Sequence, residues 1–230
     1  MSQSSYLLFQ DNFSKSCLAA GRKLSDVEVL AVSKGQEINT LIEALKIKDF
    51  PLSWGENYLG ELESKTKRSE FDSVTWHYLG ALQSRKIDDA LKCASCLQGV
   101  SREKELEIIS KNIKNNPALH DRSFYIQVNI SDDAQKLGAS FDQIEGLLQY
   151  ADKLGLLHHV TGFMGVATDL EKASESVVRK EFSKLRELRE KLLPRAKLSM
   201  GMSSDYKLAI LEGSDMIRVG TLLFGERNYT

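Results

Sequence analysis

Eight short apolar runs, the first seven each followed by a stretch with helical spacing, set the rhythm of this chain. The first run covers residues 27–34. There Val27, Val29, Leu30, Ala31 and Val32 leave neither alternating face polar, which predicts a strand covered on both sides, as in a parallel sheet. The run stops at Lys34, immediately before Gly35. Further strands are predicted over 51–54, 74–79, 95–100, 123–130, 160–166, 196–200 and 216–220.

Between the runs, Ile38, Leu41, Ile42, Ala44, Leu45 and Ile47 recur at helical spacing, as do Leu106, Ile109 and Ile113. Helices are predicted over 4–22, 38–47, 59–68, 83–93, 102–115, 141–154, 173–193 and 206–213, with Pro51, Pro117 and Pro194 as stops. Strands alternating with helices in this way predict a (β/α)8 TIM barrel with an extra N-terminal helix, residues 1–230 forming one domain. The doubly wound open sheet is the alternative, but no G-x-G-x-x-G follows the first strand.

Composition narrows the function classes. A net charge of −1 gives no global basic field for nucleic acid or an anionic membrane. No run approaches the ~18–20 apolar residues of a membrane span. The first ten residues lack a basic n-region, so they do not read as a signal peptide. Three cysteines, an odd number, point to a reducing compartment and hence to the cytoplasm. Cys93 and Cys96 form a lone C-x-x-C; no second pair exists, and His77, His120, His158 and His159 have no ligand spacing with it, so no metal site is expected.

In a barrel the carboxyl ends of the strands converge on one face. Here those ends carry Lys34, then Asn57 within Gly55-Glu56-Asn57-Tyr58, then His77, Asn129, Met164, Ser203 and Ser204, and Arg218 followed by Gly220 and Thr221. Barrel phosphate sites are often built by the loops after strands seven and eight. Ser203 and Ser204 precede a short helix, and Gly220 with Thr221 offers close backbone approach and a hydroxyl. Each loop alone reads as ordinary helix capping or turn chemistry. Arg218, inside the apolar run 216–219, must be paired in a buried salt bridge, with Glu56 for example, or face a polar ligand such as a ring nitrogen. A lysine able to form a Schiff base, two phosphate-type loops and a guanidinium together describe a site for pyridoxal 5′-phosphate (PLP).

Six stretches carry a family resemblance. They are Ala31-Val32-Ser33-Lys34, Gly55-Glu56-Asn57-Tyr58, Trp76-His77-Tyr78-Leu79-Gly80 with Leu82-Gln83-Ser84, and Gln127-Val128-Asn129, then Leu198 to Ser203 with Asp205-Tyr206, and Ile217 to Thr221 with Phe224, Gly225 and Arg227. In this order they resemble the PLP homeostasis proteins, the YggS-like or proline synthase co-transcribed family. The resemblance implies a fold-type III barrel similar to the N-terminal domain of alanine racemase. It implies Lys34 as the Schiff-base lysine, Arg218 as partner of the pyridine nitrogen, and Ser203, Gly220 and Thr221 as phosphate contacts. Asn57 and His77 would line the pocket. It further implies a protein that holds the cofactor for vitamin B6 and amino-acid homeostasis without established catalysis, with PLP-dependent apoenzymes as candidate recipients. An amino-acid racemase is the alternative, but racemization needs a second base, which alanine racemases take from an added domain that this sequence shows no residues for. A monomer or weak dimer is expected. One departure is that Gly35-Gln36-Glu37 follows the lysine where the family often has threonine, a polar residue and proline. Another is Trp54 in place of a usual phenylalanine. Lys136 fits the family's lysine after strand five and is expected at the surface.

Overall fold

The computed structural model describes residues 3–226 except 132 and 134; Arg227 of the last motif lies outside them. Eight strands, all parallel, close into a barrel in sequence order. They are β1 (Glu28–Val32), β2 (Ser53–Glu56), β3 (Thr75–Tyr78), β4 (Cys96–Val100), β5 (Ser123–Val128), β6 (Val160–Gly165), β7 (Lys197–Ser199) and β8 (Met216–Val219). β8 pairs back onto β1 through Leu30↔Arg218 and Ala31↔Val219. The helices are α1 (Gln3–Ala19), α2 (Ile38–Leu45), α3 (Leu59–Thr66), α4 (Ile87–Cys93), α5 (Glu103–Asn115), α6 (Ile144–Lys153), α7 (Glu175–Leu192), α8 (Tyr206–Leu211) and α9 (Thr221–Phe224). α1 is the extra N-terminal helix and lies against α8 and α9. Among the described residues no helix is long and apolar enough to cross a membrane.

The predicted elements are all present, with three instructive differences. β2 lies two residues later than its apolar run, because Gly55 and Glu56 continue the strand, pairing with His77 and Tyr78. A Cβ at Gly55 would sit 2.7 Å from Leu79 Cδ1 and 3.1 Å from Leu30 Cδ2, so glycine leaves the barrel interior free for those two leucines. The Glu56 side chain is fully buried, accepting from Ser33 Oγ and Lys65 Nζ. A Gly-Glu pair that looks like loop chemistry is therefore core strand. Second, Lys34 is not the last residue of β1 but lies two residues past it, in a turn with Gly35 at φ +65°. Third, α9 is an unpredicted helix, one turn long, so Thr221 opens a helix instead of sitting in a loop.

The outward faces of the strands and the inner faces of the helices share one continuous apolar layer. Trp54 is its largest fully buried side chain and contacts Phe50, Phe71, Trp76 and Phe224, with its indole N–H donating to the Pro51 carbonyl. Inside the barrel, Cys96, Tyr125 and Met164 pack on one another. Burial pushes the Cys96 thiol up to about 12, which keeps it protonated and inert. No cluster of metal-ligating groups exists among the described residues.

Two glycines test how tightly the barrel is set. A Cβ at Gly162 in β6 would fall 1.9 Å from the Lys197 carbonyl oxygen, whereas Gly146 in α6 has nothing within 4 Å. Gly162→Ala should lower the unfolding free energy by about 3 kcal/mol or more. Gly146→Ala should raise it by about 0.5–1 kcal/mol. Urea denaturation of the two variants beside the wild type checks both signs.

Candidate binding site at the carboxyl end of the barrel

Strand residues alternate between the helices and the barrel axis, so the axis-facing set opens at the carboxyl end. It forms a cavity of ≈ 430 Å3. Its polar lining is Lys34, Asn57, Gln127, Ser203, Ser204, Arg218 and Thr221 with the bare backbone of Gly220; Val32, Leu79, Leu137, Met164, Val166 and Met202 supply an apolar wall. Of the seven residues given roles by the resemblance, six share one cavity: Lys34, Asn57, Ser203, Arg218, Gly220 and Thr221; the strand-end residues Met164 and Ser204 join them, whereas Asn129 lies outside, donating to the Asp133 and Lys136 carbonyls. A larger cavity of ≈ 640 Å3 adjoins it through Gln127 and Leu137. Its cationic side chains are already engaged, Arg102 by Glu105 and Lys136 by the Ala167 carbonyl at 2.9 Å. Lys136 is therefore half-buried, not a freely solvated surface residue.

One side of the smaller cavity is built to receive an anion. After β7 the chain turns at Gly201, whose φ is +95° and whose Cβ would fall 2.5 Å from that of Ala209. Asp205 Oδ1 accepts from the Met202 N–H at 2.5 Å, and the Asp205 and Tyr206 N–H groups return to the Met202 carbonyl. The N–H groups of Ser203 and Ser204 are left with no acceptor among the described residues. Opposite them, a Cβ at Gly220 would lie 3.0 Å from the Val32 carbonyl oxygen, so the backbone there is necessarily bare. In α9 the Leu223 and Phe224 N–H groups donate to the Gly220 carbonyl, which leaves those of Thr221 and Leu222 without an acceptor among the described residues. Convergent free amides of this kind bind phosphate oxygens.

Arg218 is held rigidly. Its Nη1 donates to the Ser199 carbonyl at 2.6 Å and to Ser199 Oγ at 2.8 Å, and its Nη2 donates to the Gly165 carbonyl at 2.8 Å. The salt bridge with Glu56 entertained from sequence is not formed; Glu56 pairs with Lys65 at 2.5 Å. Burial pulls the Arg218 guanidinium down to about 10, against the opposing charge of Asp205, and it stays protonated at neutral pH. It can donate to a ligand but cannot give up a proton there.

His77 does not line the cavity. Its strand neighbour two residues on, Leu79, takes that place, and the imidazole lies one layer deeper. There Gln98 Nε2 donates to His77 Nδ1 at 2.9 Å, Gln98 Oε1 accepts from Ser199 Oγ at 2.7 Å, and Ser199 Oγ accepts from Arg218. His77 is thus the inner end of the chain that braces Arg218. Gln98 and Ser199 were missed from sequence; a glutamine within the apolar run of β4 was the available signal, by the same reasoning that singled out Arg218. Leu79, Gln127 and Met202 lie within the stretches that carry the resemblance but have no assigned role, since apolar and amide residues at strand ends are common.

A lysine just past β1, a fixed guanidinium on β8 and an amide cradle after β7 and β8 define the class: a (β/α)8 barrel whose carboxyl-end cavity has the donors for a phosphorylated ligand beside a lysine amine. Comparison with known proteins gives the family. The family model described as alanine racemase, N-terminal domain, matches residues 11–228. The pyridoxal phosphate homeostasis protein of Aquifex aeolicus (strain VF5) is 32% identical over 230 residues, covering 95% of each chain. The chain therefore belongs to the pyridoxal phosphate homeostasis proteins, within the alanine racemase N-terminal domain family. The structure of PipY from Synechococcus elongatus PCC7942 with PLP bound matches with a TM-score of 0.73 at 26% identity, over 93% of this chain and 100% of that one. Alanine racemase from Acinetobacter baumannii shares the fold alone: TM-score 0.70, 11% identity, 97% of this chain and 61% of that one.

The deep histidine gives a pH signature. Burial lowers the His77 pKa to about 4 from its ordinary 6.5, with Glu28 opposing weakly. Between those values the unfolded chain binds more protons than the folded one, so stability falls as pH drops from about 6.5 to 4, by up to about 3 kcal/mol, and His77 adds no further loss below. Protonation would also set an Nδ1–H donor against the Gln98 amide donor. Comparing unfolding free energies at pH 7 and pH 4.5 for the wild type and His77→Gln should show a smaller acid loss in the variant.

Proposed function

We propose that this chain binds PLP in the ≈ 430 Å3 cavity, holds it as a Schiff base on Lys34, and serves cofactor and amino-acid homeostasis in the cytosol without turning over a substrate. The observation that carries the reading is the placement of Lys34 in one cavity with the free amides of Ser203 and Ser204 and the bare Gly220 backbone. PLP bound there would supply an aldehyde able to condense with an amine. The chain's own residues would do the rest. Ser203, Gly220 and Thr221 would hold the phosphate, Arg218 would donate to the ring side, and Asn57 would complete the polar lining. Leu79, Met164 and Val166 would keep water from one wall. The names of the curated relatives and the PLP-bound PipY structure support the assignment of the ligand.

The racemase reading requires two bases, one on each face of the substrate carbon. Among the described lining residues, Lys34 is the one side chain able to accept a proton; Arg218 stays protonated, and the remainder are amides, hydroxyls and apolar groups. That favours a holder of the cofactor, with PLP-dependent apoenzymes as the recipients we propose.

Two measurements test the reading. The protein incubated with PLP should absorb at roughly 410–430 nm, lose the band on borohydride reduction and gain a covalent adduct at Lys34 by mass analysis, all abolished in Lys34→Ala. An unchanged reducible band in Lys34→Ala would refute the assignment of the lysine. Exchange of the α-proton of L-alanine or L-serine should stay far below enzymatic rates, about 1 per second or more, and exchange at such a rate would refute the holder reading.

A further inference from the structure

A buried charged cluster outside the cavity touches the backbone on both sides of Lys34. Lys65 on α3 is 2% exposed, and its Nζ donates to the Ser33 carbonyl at 2.9 Å, to Glu56 Oε2 at 2.5 Å and to Glu61 Oε2 at 2.8 Å. The same Glu61 oxygen accepts the Gly35 N–H at 3.1 Å. Glu56 Oε2 also accepts from Ser33 Oγ at 3.0 Å, while its Oε1 accepts the N–H groups of Asn57 and Tyr58 at 2.7 and 3.0 Å. Ser33 and Glu56 are fully buried. The residue before Lys34 and the residue after it are thus fixed to one cluster, which also fixes the peptide of Asn57.

We infer that Glu61 and Lys65 are positioning residues for Lys34: they set its amine in the cavity by clamping the Ser33 carbonyl and the Gly35 N–H. The inference rests on the proposed role of Lys34. A lysine side chain is long and has many rotamers, so the position of its Cα and the direction of its Cα–Cβ bond decide how often the amine meets a carbonyl carbon. Pairing with β2 ends at the Ser33 N–H, which donates to the Gly55 carbonyl, and the Gln36 N–H closes the turn on the Ser33 carbonyl at 3.2 Å; Lys34 itself lies beyond β1, with Gly35 at φ +65°. The cluster holds the backbone on both sides of Lys34. Burial raises the Glu61 carboxyl, but the hydrogen bond and charge of Lys65 and the Gly35 N–H outweigh it; the net shift is downward, so Glu61 stays an acceptor at neutral pH. The covalent step is ordinary condensation. The Nζ lone pair adds to the aldehyde carbon, the amine gives up two protons, and the carbonyl oxygen leaves with them as water when the C=N bond forms.

Glu61 is the residue to vary, since its side chain is 35% exposed and its loss leaves Lys65 paired with Glu56. Three quantities are measured on Glu61→Ala, Glu61→Gln and Lys34→Ala: the rate of forming the borohydride-trapped PLP adduct, the Kd for pyridoxine 5′-phosphate, and the thermal midpoint. Pyridoxine 5′-phosphate carries an alcohol in place of the aldehyde, so it reports the phosphate and ring contacts alone. Glu61→Ala should slow adduct formation by about tenfold or more while leaving the pyridoxine 5′-phosphate Kd within about twofold, and Glu61→Gln, which keeps an acceptor oxygen, should restore the rate to within about threefold. An unchanged rate in Glu61→Ala, a rate and affinity that fall together, or failure of Glu61→Gln to restore the rate would overturn the positioning role. An adduct that persists in Lys34→Ala would instead overturn the reading of Lys34 itself.

Discussion

The carboxylate of Glu56 is the contact on which the site end of this barrel depends. It lies without exposure between the first two strand–helix connections and accepts four hydrogen bonds, from Ser33, Lys65, Asn57 and Tyr58. A buried carboxylate is tolerable only when paired and fully bonded, and losing the partner of such a charge costs about 3–5 kcal/mol. The pair is weak evidence for stability as such, since an apolar replacement of the same shape can be as stable. What it provides is geometry. Two loops that share no backbone ladder past Glu56 are held in one arrangement, and with them Lys34 and Asn57.

The opposite side of the cavity uses neutral partners. Arg218 is oriented by two carbonyls and the Ser199 hydroxyl, and Ser199 is oriented in turn by Gln98 and His77. No carboxylate neutralises the guanidinium at hydrogen-bond distance among the described residues, so its charge is directed to the cavity. The amide cradle after β7 and β8 carries the same sign. Positive donors gathered on this side suit a dianion, and the amine of Lys34 in the same cavity suits an aldehyde. Chemistry of this kind binds a cofactor well and offers few groups for moving a proton from a bound substrate.

Much of the site was legible from sequence because a barrel sends strand ends to one face; knowing where each strand stops nominates the residues there. Lys34, Asn57, Ser203, Arg218, Gly220 and Thr221 were found in that way, and the cavity contains all six. His77 was nominated by the same rule and lies one layer too deep, because a strand places alternate residues on the axis and the pattern cannot say which layer is the last. Leu79 is that layer. Lys136 was assigned to the surface on type alone and is tied to the Ala167 carbonyl.

By itself, the sequence determined the alternation of eight strands with helices, and hence the barrel, since the periods of strand and helix are local and survive without knowledge of neighbours. It also nominated the residues of the proposed chemistry, because a strand-end lysine, an arginine in an apolar run and two phosphate-type loops are rarely found together. Only the tertiary structure decided which charges pair. Glu56 could have met Arg218 or Lys65 as far as the sequence went. The outcome depends on packing across β1, β2 and α3, where Ser33, Glu56, Glu61 and Lys65 come together from four separate positions in the chain. Burial and direction are properties of that packing, and they alone turn Lys65 from one of many surface-type lysines into the brace beside Lys34.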